Sequence, residues 1–286
     1  MSKTVLVTGG AGFIGSHLCE RLVAEGHTVI SLDNYFTGSR ENHVPGVDYR
    51  EGHTKDIEQH VPETPDLIYH LGEYSRVERS FEEPAVVFDL NKVGTFGVLE
   101  FCRKKKVKIV YAGSSTKFGD GGLGRDQSPY AWTKATNTEL VRNYGDWYDM
   151  PYAVTYFYNV YGEGERAGRY GTVIEIFKQN FLKGEIFSVN SPGTQKRNFT
   201  HIDDITQGLI LVGQNGDGDN FGIGDERAYS ILDVATLFGG EIVMKPQVPG
   251  ERMTADMDTT KTKLLGWETQ HSLQDYIEEI KKERNP

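Results

Sequence analysis

The sequence predicts an α/β chain, with a doubly wound parallel sheet followed by a smaller α+β portion, and two observations carry that expectation. Over the first 160 residues, short apolar runs alternate with helix-like segments, which is the pattern of right-handed βαβ units. After Asn159 the texture changes to glycine- and tyrosine-rich loops with shorter elements. A length of 286 residues accommodates one large or two modest domains. The change of texture puts a boundary near 160, giving units 1–160 and 161–286, with part of the segment near 198–220 returning to the first unit.

The elements follow in order. Strands are expected at 4–8, 28–33, 67–71, 109–112 and 153–158, where β-branched and other apolar residues run without interruption, as in a sheet covered on both faces. Helices are expected at 14–25, 85–105, 130–148 and 273–282, the second and third carrying apolar residues at three- and four-residue steps. The tract Asn215-Gly216-Asp217-Gly218-Asp219 lacks the spacing and closing glutamate of a calcium loop and reads as a surface turn.

Composition narrows the function classes. Hydrophobic residues make up 37%, charged residues 25%, and mean hydropathy is −0.48, values that disfavour disorder and a membrane-embedded chain. Lys and Arg number 31 against 41 Asp and Glu, a net charge of −10, so neither nucleic acid nor an anionic membrane is an expected partner. Any anionic ligand must be met by a local device. Cys19 and Cys102 are the only cysteines and show no metal-ligand spacing, so no metal and no disulfide framework is expected. The start Met1-Ser2-Lys3-Thr4 lacks the charged and apolar stretches of an export signal, and a cytoplasmic location is expected.

The local device is legible at the first βα turn. Strand 4–8 leads into Gly9-Gly10-Ala11-Gly12-Phe13-Ile14-Gly15 and then a helix. Such glycines let the backbone approach a pyrophosphate, while the free N–H groups and positive dipole of the helix start attract it. Asp33 closes the second strand, where a carboxylate accepts ribose hydroxyls and repels a 2′-phosphate. The expectation is a Rossmann-type sheet that binds NAD. Arg40 nearby weakens the preference over NADP.

Further on, Tyr130 and Lys134 are spaced to share one helix face, after a strand and serine-rich turn that hold Ser114. With these residues in place the chain resembles the extended short-chain dehydrogenase/reductases, in particular the nucleotide-sugar epimerase/dehydratases and most of all the UDP-hexose 4-epimerases. The resemblance rests on TGGAGFIG (8–15), DNYFTG (33–38), Asn91 with Gly94-Thr95, SSTKFG (114–119), YAWTK (130–134), YNVYG (158–162), RNFTHIDD (197–204) and LGW (265–267).

That resemblance implies catalytic roles for Ser114, Tyr130 and Lys134: a hydroxyl beside the sugar O4, an acid/base, and a partner of the nicotinamide ribose. It implies cofactor contacts at Gly9, Gly12, Phe13, Ile14, Gly15, Asp33, Asn34, Leu71, Asn91, Tyr130, Lys134 and Tyr158. It places the UDP-sugar at Ser114, Asn159, Thr172, Val173, Phe187, Ser188, Arg197, Arg252 and Ala255. Thr172 and Val173 would form a loop over the nucleotide, Phe187 and Ser188 a strand edge reading uracil, and Ala255 space beside the C2 substituent. A homodimer pairing helices 85–105 and 130–148 is implied too, through Phe88, Phe96, Leu99, Leu140 and Tyr144.

The implied reaction is C4 epimerisation. Ser115 and Thr116 stand where dehydratases of the family carry an acidic pair, which disfavours elimination. Other nucleotide-sugar oxidoreductases, a 3,5-type epimerase, a dehydratase or a decarboxylase are the alternative enzymes, and an NAD-sensing regulatory protein is the alternative without chemistry. His53 stands where relatives often have an adenine-binding aspartate, leaving Asp56 as a substitute. His70, ending an apolar strand, reads as a structural histidine.

Overall fold

The computed structural model describes residues 2–168, 170–247, 253, 254 and 256–284, and only the backbone of residues 116, 117, 119–121 and 123. β1 (Thr4–Thr8), α1 (Phe13–Ala24), β2 (Thr28–Asp33), β3 (Val47–Glu51), the single turn α2 (Ile57–His60) and β4 (Leu67–His70) come first. The helix expected at 85–105 is a helical run in three parts, α3 (Pro84–Val87), a π-helical segment Phe88–Val93 and α4 (Gly94–Lys105). β5 (Lys108–Ser114), the 3-10 segment Ser115–Asp126, α5 (Pro129–Tyr148) and β6 (Tyr152–Phe157) follow.

These strands and β10 (Gly218–Ile223) form one seven-stranded sheet in the order β10-β6-β5-β4-β1-β2-β3, with every neighbouring pair parallel. The expected doubly wound sheet is thus present, and its order reverses between β1 and β4. Alternation along β1 shows why both faces are covered. Val5 and Val7 pack with Leu18 and Leu22 of α1 and with Ile205 and Leu209 of α7 (Ile202–Asn215), whereas Leu6 packs with Val98 and Leu99 of α4 and Val141 of α5. β3 is a strand the sequence reading missed. Its residues, Val-Asp-Tyr-Arg-Glu, are an edge strand's polar mixture and carry no apolar run.

A smaller layer is built from β7 (Asn159–Tyr161), β9 (Lys196–His201) and β11 (Ala228–Ser230) in the order β11-β9-β7, and from β8 (Phe187–Asn190) paired with β12 (Ile242–Lys245). Helices α6 (Val173–Lys183), α8 (Ile231–Phe238) and α10 (Leu273–Arg284) enclose its own core, where Phe177, Phe187, Phe238 and Ile277 meet. The short helix α9 (Thr260–Leu264) delivers Trp267 back to the main sheet. That indole is 1% exposed and donates from Nε1 to the Asp204 carbonyl at 2.8 Å. Among the described residues no helix is long and apolar enough to cross a membrane.

Because Trp267 fills the seam between α7 and the sheet, Trp267→Ala is expected to cost about 3–5 kcal/mol of stability, read as a lowered urea midpoint. An unchanged midpoint would mean that the seam closes without the indole.

Candidate active site

The C-terminal ends of β1, β2, β4 and β5 open into one cavity of about 760 Å³. A sheet whose order reverses between β1 and β4 leaves a crevice there, because the connections depart to opposite faces. The first wall is the turn after β1. A Cβ on Gly15 would lie 2.1 Å from the Gly9 carbonyl oxygen, so only glycine lets α1 start this close to the strand. Gly9 itself has φ +75° and lies against Gly72 after β4. Asp33 pins the turn from β2, its carboxylate accepting from the Ala11 amide at 3.0 Å and the Tyr35 amide at 2.8 Å. Burial pushes this carboxyl up, and the two amides pull it back.

The second wall carries the polar chemistry. Ser128 caps α5, its Oγ accepting from the Ala131 amide at 3.0 Å, and Pro129 fits the first helical position. The helix so started puts Tyr130 and Lys134 on the cavity side, and Tyr130 Oη lies 3.2 Å from Ser114 Oγ at the end of β5. Lys134 Nζ donates to the Ala112 carbonyl and forms an ion pair with Glu73, and it lies 4.7 Å from the centre of the Tyr111 ring.

Glu73 is a functional candidate that the sequence reading passed over. Its side chain is 2% exposed. Beyond Lys134 it accepts from Thr95 Oγ1 at 2.7 Å, Asn137 Nδ2 at 2.8 Å and Tyr111 Oη at 3.2 Å. Burial pushes the carboxyl up, but the Lys134 charge and these donors outweigh burial and hold it below the usual range. The available signal was an acidic residue three positions after a fully apolar strand at the cofactor edge of the sheet.

His70 is fully buried beside this group, with Nδ1 2.7 Å from Thr8 Oγ1 and Nε2 2.9 Å from Thr95 Oγ1. Thr95 gives its proton to Glu73, so His70 Nε2 is the donor to Thr95. Burial pushes the imidazole's pKa down to about 4, and the neutral structural ring so favoured accepts at Nδ1 from Thr8.

Of the sequence-predicted residues, Gly9, Gly12, Phe13, Ile14, Gly15, Asp33, Asn34, Leu71, Ser114, Tyr130, Lys134, Tyr158, Asn159, Thr172 and Arg197 line the cavity. Others lie elsewhere. Asn91 sits fully buried in the π-helical segment, where its amide brackets the backbone of Tyr74 and reaches Thr133 Oγ1. Thr172, at the cavity wall, is the N-cap residue of α6, and Val173 opens that helix without lining the cavity. Phe187 is fully buried and stacks on Phe177, because the smaller layer needs an aromatic there, and Ser188 faces outward from β8. His53 turns to Asp89 at 3.2 Å, and neither it nor Asp56 lines the cavity. Arg252 and Ala255 lie outside the described residues.

The cavity also holds Arg76 and Glu165, which the sequence reading did not single out. Arg76 donates from Nε to the Tyr170 carbonyl at 2.5 Å and from Nη1 to Ser75, leaving Nη2 without a partner among the described residues. Burial pushes the Glu165 carboxyl up to about 7, with Thr172 and Arg76 pulling the other way.

A model of the NAD dependent epimerase/dehydratase family matches residues 5–224. The chain belongs to that family. A putative UDP-glucose 4-epimerase of Methanocaldococcus jannaschii is 30% identical, with 96% of each chain covered. A UDP-N-acetyl-α-D-glucosaminuronate decarboxylase of Bacillus cytotoxicus is 29% identical over 82% of this chain and 79% of its own. Among solved structures, the UDP-glucose 4-epimerase of Thermotoga maritima, determined with UDP-glucose, superposes with a TM-score of 0.90 at 27% identity, covering 98% of this chain and 99% of that one. The Thermus thermophilus UDP-glucose 4-epimerase in complex with NAD gives 0.89, also at 27% identity, with 99% of both chains covered.

The family's cofactor is NAD, and the residues present fit it. The Cβ-free cradle at Gly9 and Gly15 leaves room for a pyrophosphate, and Asp33 at the end of β2 suits a ribose with a free 2′-hydroxyl. The C-terminal edge offers Lys134 N–H and Tyr130 O–H groups to the far end of the dinucleotide.

A histidine buried neutral must charge on unfolding, so it contributes stability that is present above about pH 6.5 and is lost as pH falls toward about 4. Between pH 7 and pH 5, His70 is expected to withdraw about 2 kcal/mol. Urea titrations of the parent and of His70→Gln should show that much less pH dependence in the variant, and parallel pH dependences would contradict a neutral buried imidazole.

Proposed function

We propose that this family member is a 4-epimerase of a UDP-linked hexose or N-acetylhexosamine. The observation that carries the reading is the acid/base pair at the cavity edge, Tyr130 Oη 3.2 Å from Ser114 Oγ with Lys134 one helical turn on. Reversible oxidation of one secondary alcohol needs one group to take and return a proton, and Tyr130 is that group. Ser114 orients the sugar O4 against it, and Lys134 supports the phenolate electrostatically. Bound NAD supplies the oxidising and reducing capacity, which is restored in each turnover. Elimination would demand a further acid and base at 115 and 116, where serine and threonine stand.

In this reading residues 1–160 hold the dinucleotide and 161–286 the nucleotide sugar, apart from α7 and β10, which belong with the first unit. Arg197, 8% exposed at the cavity wall, and Asn159 at the junction are assigned to the diphosphate. Ala255 is assigned to the space beside the C2 substituent, so N-acetylated sugars are accepted. A second reading, a sugar carrying a carboxylate, is favoured by Arg76, whose spare Nη2 would suit such a group.

The test is a panel of UDP-glucose, UDP-N-acetylglucosamine and UDP-glucuronate incubated with the protein without added cofactor, products being identified by NMR. C4 epimers of the first two, with turnover reduced about 100-fold in Tyr130→Phe, are expected. Conversion of the glucuronate alone would replace the neutral-sugar reading by the second, and a requirement for stoichiometric NADPH would overturn both.

The reading includes a homodimer across α4 and α5. Leu99 and Tyr144 are buried and belong to the monomer's own core, so they do not contribute. Phe88 and Phe96 are 43% and 51% exposed, Phe88 stacks on Trp132 at 5.5 Å, and Trp147 is 60% exposed, an apolar face that a second copy would cover. Light scattering is expected to give twice the 32.1 kDa chain mass. In Phe96→Glu it should give the single mass, and a monomeric parent at micromolar concentration would reject the pairing.

A further inference from the structure

The ammonium of Lys134 has three N–H donors. Two are committed, to Glu73 and to the Ala112 carbonyl, and the side chain is 6% exposed. Only the third direction remains for a ligand in the cavity that Lys134 lines. The cation presented to that ligand is therefore one half of an ion pair.

The rest of the surroundings leaves the pair alone. Burial keeps His70 neutral, and Tyr111, Thr95 and Asn137 all donate to the Glu73 carboxylate without bringing charge. Lys92 also acts on Glu73 from a distance, but its ammonium donates to Thr136 Oγ1 at 3.1 Å, makes no direct contact with the pair and is constant in every variant below. Within this shell Lys134 and Glu73 sum to zero.

A dinucleotide whose nicotinamide end lies against Lys134 carries a positive ring when oxidised and a neutral ring when reduced. An uncompensated ammonium would repel the oxidised form selectively, because both forms are otherwise the same size and make the same contacts. We propose that Glu73 is a positioning residue that neutralises Lys134 and thereby lets the site hold oxidised NAD in preference to NADH. The proposal rests on the reading that Lys134 faces the nicotinamide end.

The charge balance gives each variant its own sign. Full-length protein is equilibrated with equimolar NAD and NADH and freed of unbound nucleotide. The bound ratio is then read by chromatography after neutral extraction. Glu73→Gln leaves the ammonium uncompensated, and the bound NAD:NADH ratio is expected to fall about tenfold. Lys134→Gln leaves the carboxylate uncompensated, and the ratio is expected to rise by a similar factor. The double variant, again neutral, is expected to return to within about threefold of the parent.

Glu73→Gln alone buries an unpaired ammonium and is the variant at risk of misfolding. The comparison of Lys134→Gln with the double variant avoids that ammonium and, made at pH 9 so that the carboxyl deprived of its cation stays ionised, isolates the Glu73 charge. Equal ratios in those two proteins would overturn the proposal while leaving the placement of Lys134 intact. Unchanged ratios in every variant would instead overturn the placement on which it rests.

Discussion

The carboxylate of Glu73 is the acceptor on which four elements converge: Lys134 and Asn137 from α5, Thr95 from α4, Tyr111 from β5, and the chain after β4 that carries Glu73 itself. A buried charge is tolerated only when it is paired and its remaining lone pairs are filled, and here both conditions are met. Removing one member would leave a charge that water cannot reach, so the group penalises any arrangement that separates these elements. Through Thr95 the same network reaches His70 and Thr8, which ties β4 to β1 at the point where the strand order reverses. The crevice and its polar wall are thus fixed by one set of hydrogen bonds.

A chain of net charge −10 must still attract a dinucleotide, and the structure confines the attraction to two places. Backbone N–H groups at the start of α1 supply one without any side-chain charge. Under the proposed reading Lys134 supplies the other as a hydrogen-bond donor whose charge Glu73 balances. Asp33 does double duty, fixing the glycine turn through Ala11 while facing the position of a ribose. Overall acidity and local anion binding are compatible because neither device needs an excess of basic residues.

The main sheet was largely legible because its strands are covered on both faces and so read as uninterrupted apolar runs, as Val5-Leu6-Val7 does. β3 was not, since an edge strand needs no such run and Asp48, Arg50 and Glu51 can point to water. The glycine turn, Asp33, Tyr130 and Lys134 were legible because their chemistry depends on local spacing. Glu73 was not, because its role comes from contacts with residues 22 to 64 positions away, which no spacing rule reveals. Phe187 was ambiguous for another reason: an aromatic on a short strand fits a base-binding edge and a core position equally, and its ring packs against Phe177 and Phe238, which no spacing reveals.

The two halves of the cavity are built on different principles. The half formed by β1, β2, β4 and α5 is tied together by the hydrogen bonds that meet at Glu73 and His70. The half formed by 162–172 carries Gly162, Gly164 and Gly168 at positive φ and buries the Glu165 carboxyl and Thr172 hydroxyl. Relatives named as an epimerase and as a decarboxylase resemble this chain to a similar degree, at 30% and 29% identity, so the finer chemistry lies in what the overall frame does not fix. What becomes of the oxidised sugar depends on how the second half holds it. Arg76, Glu165 and Arg197 line the cavity there, and under the proposed reading substrate choice would rest on their charges.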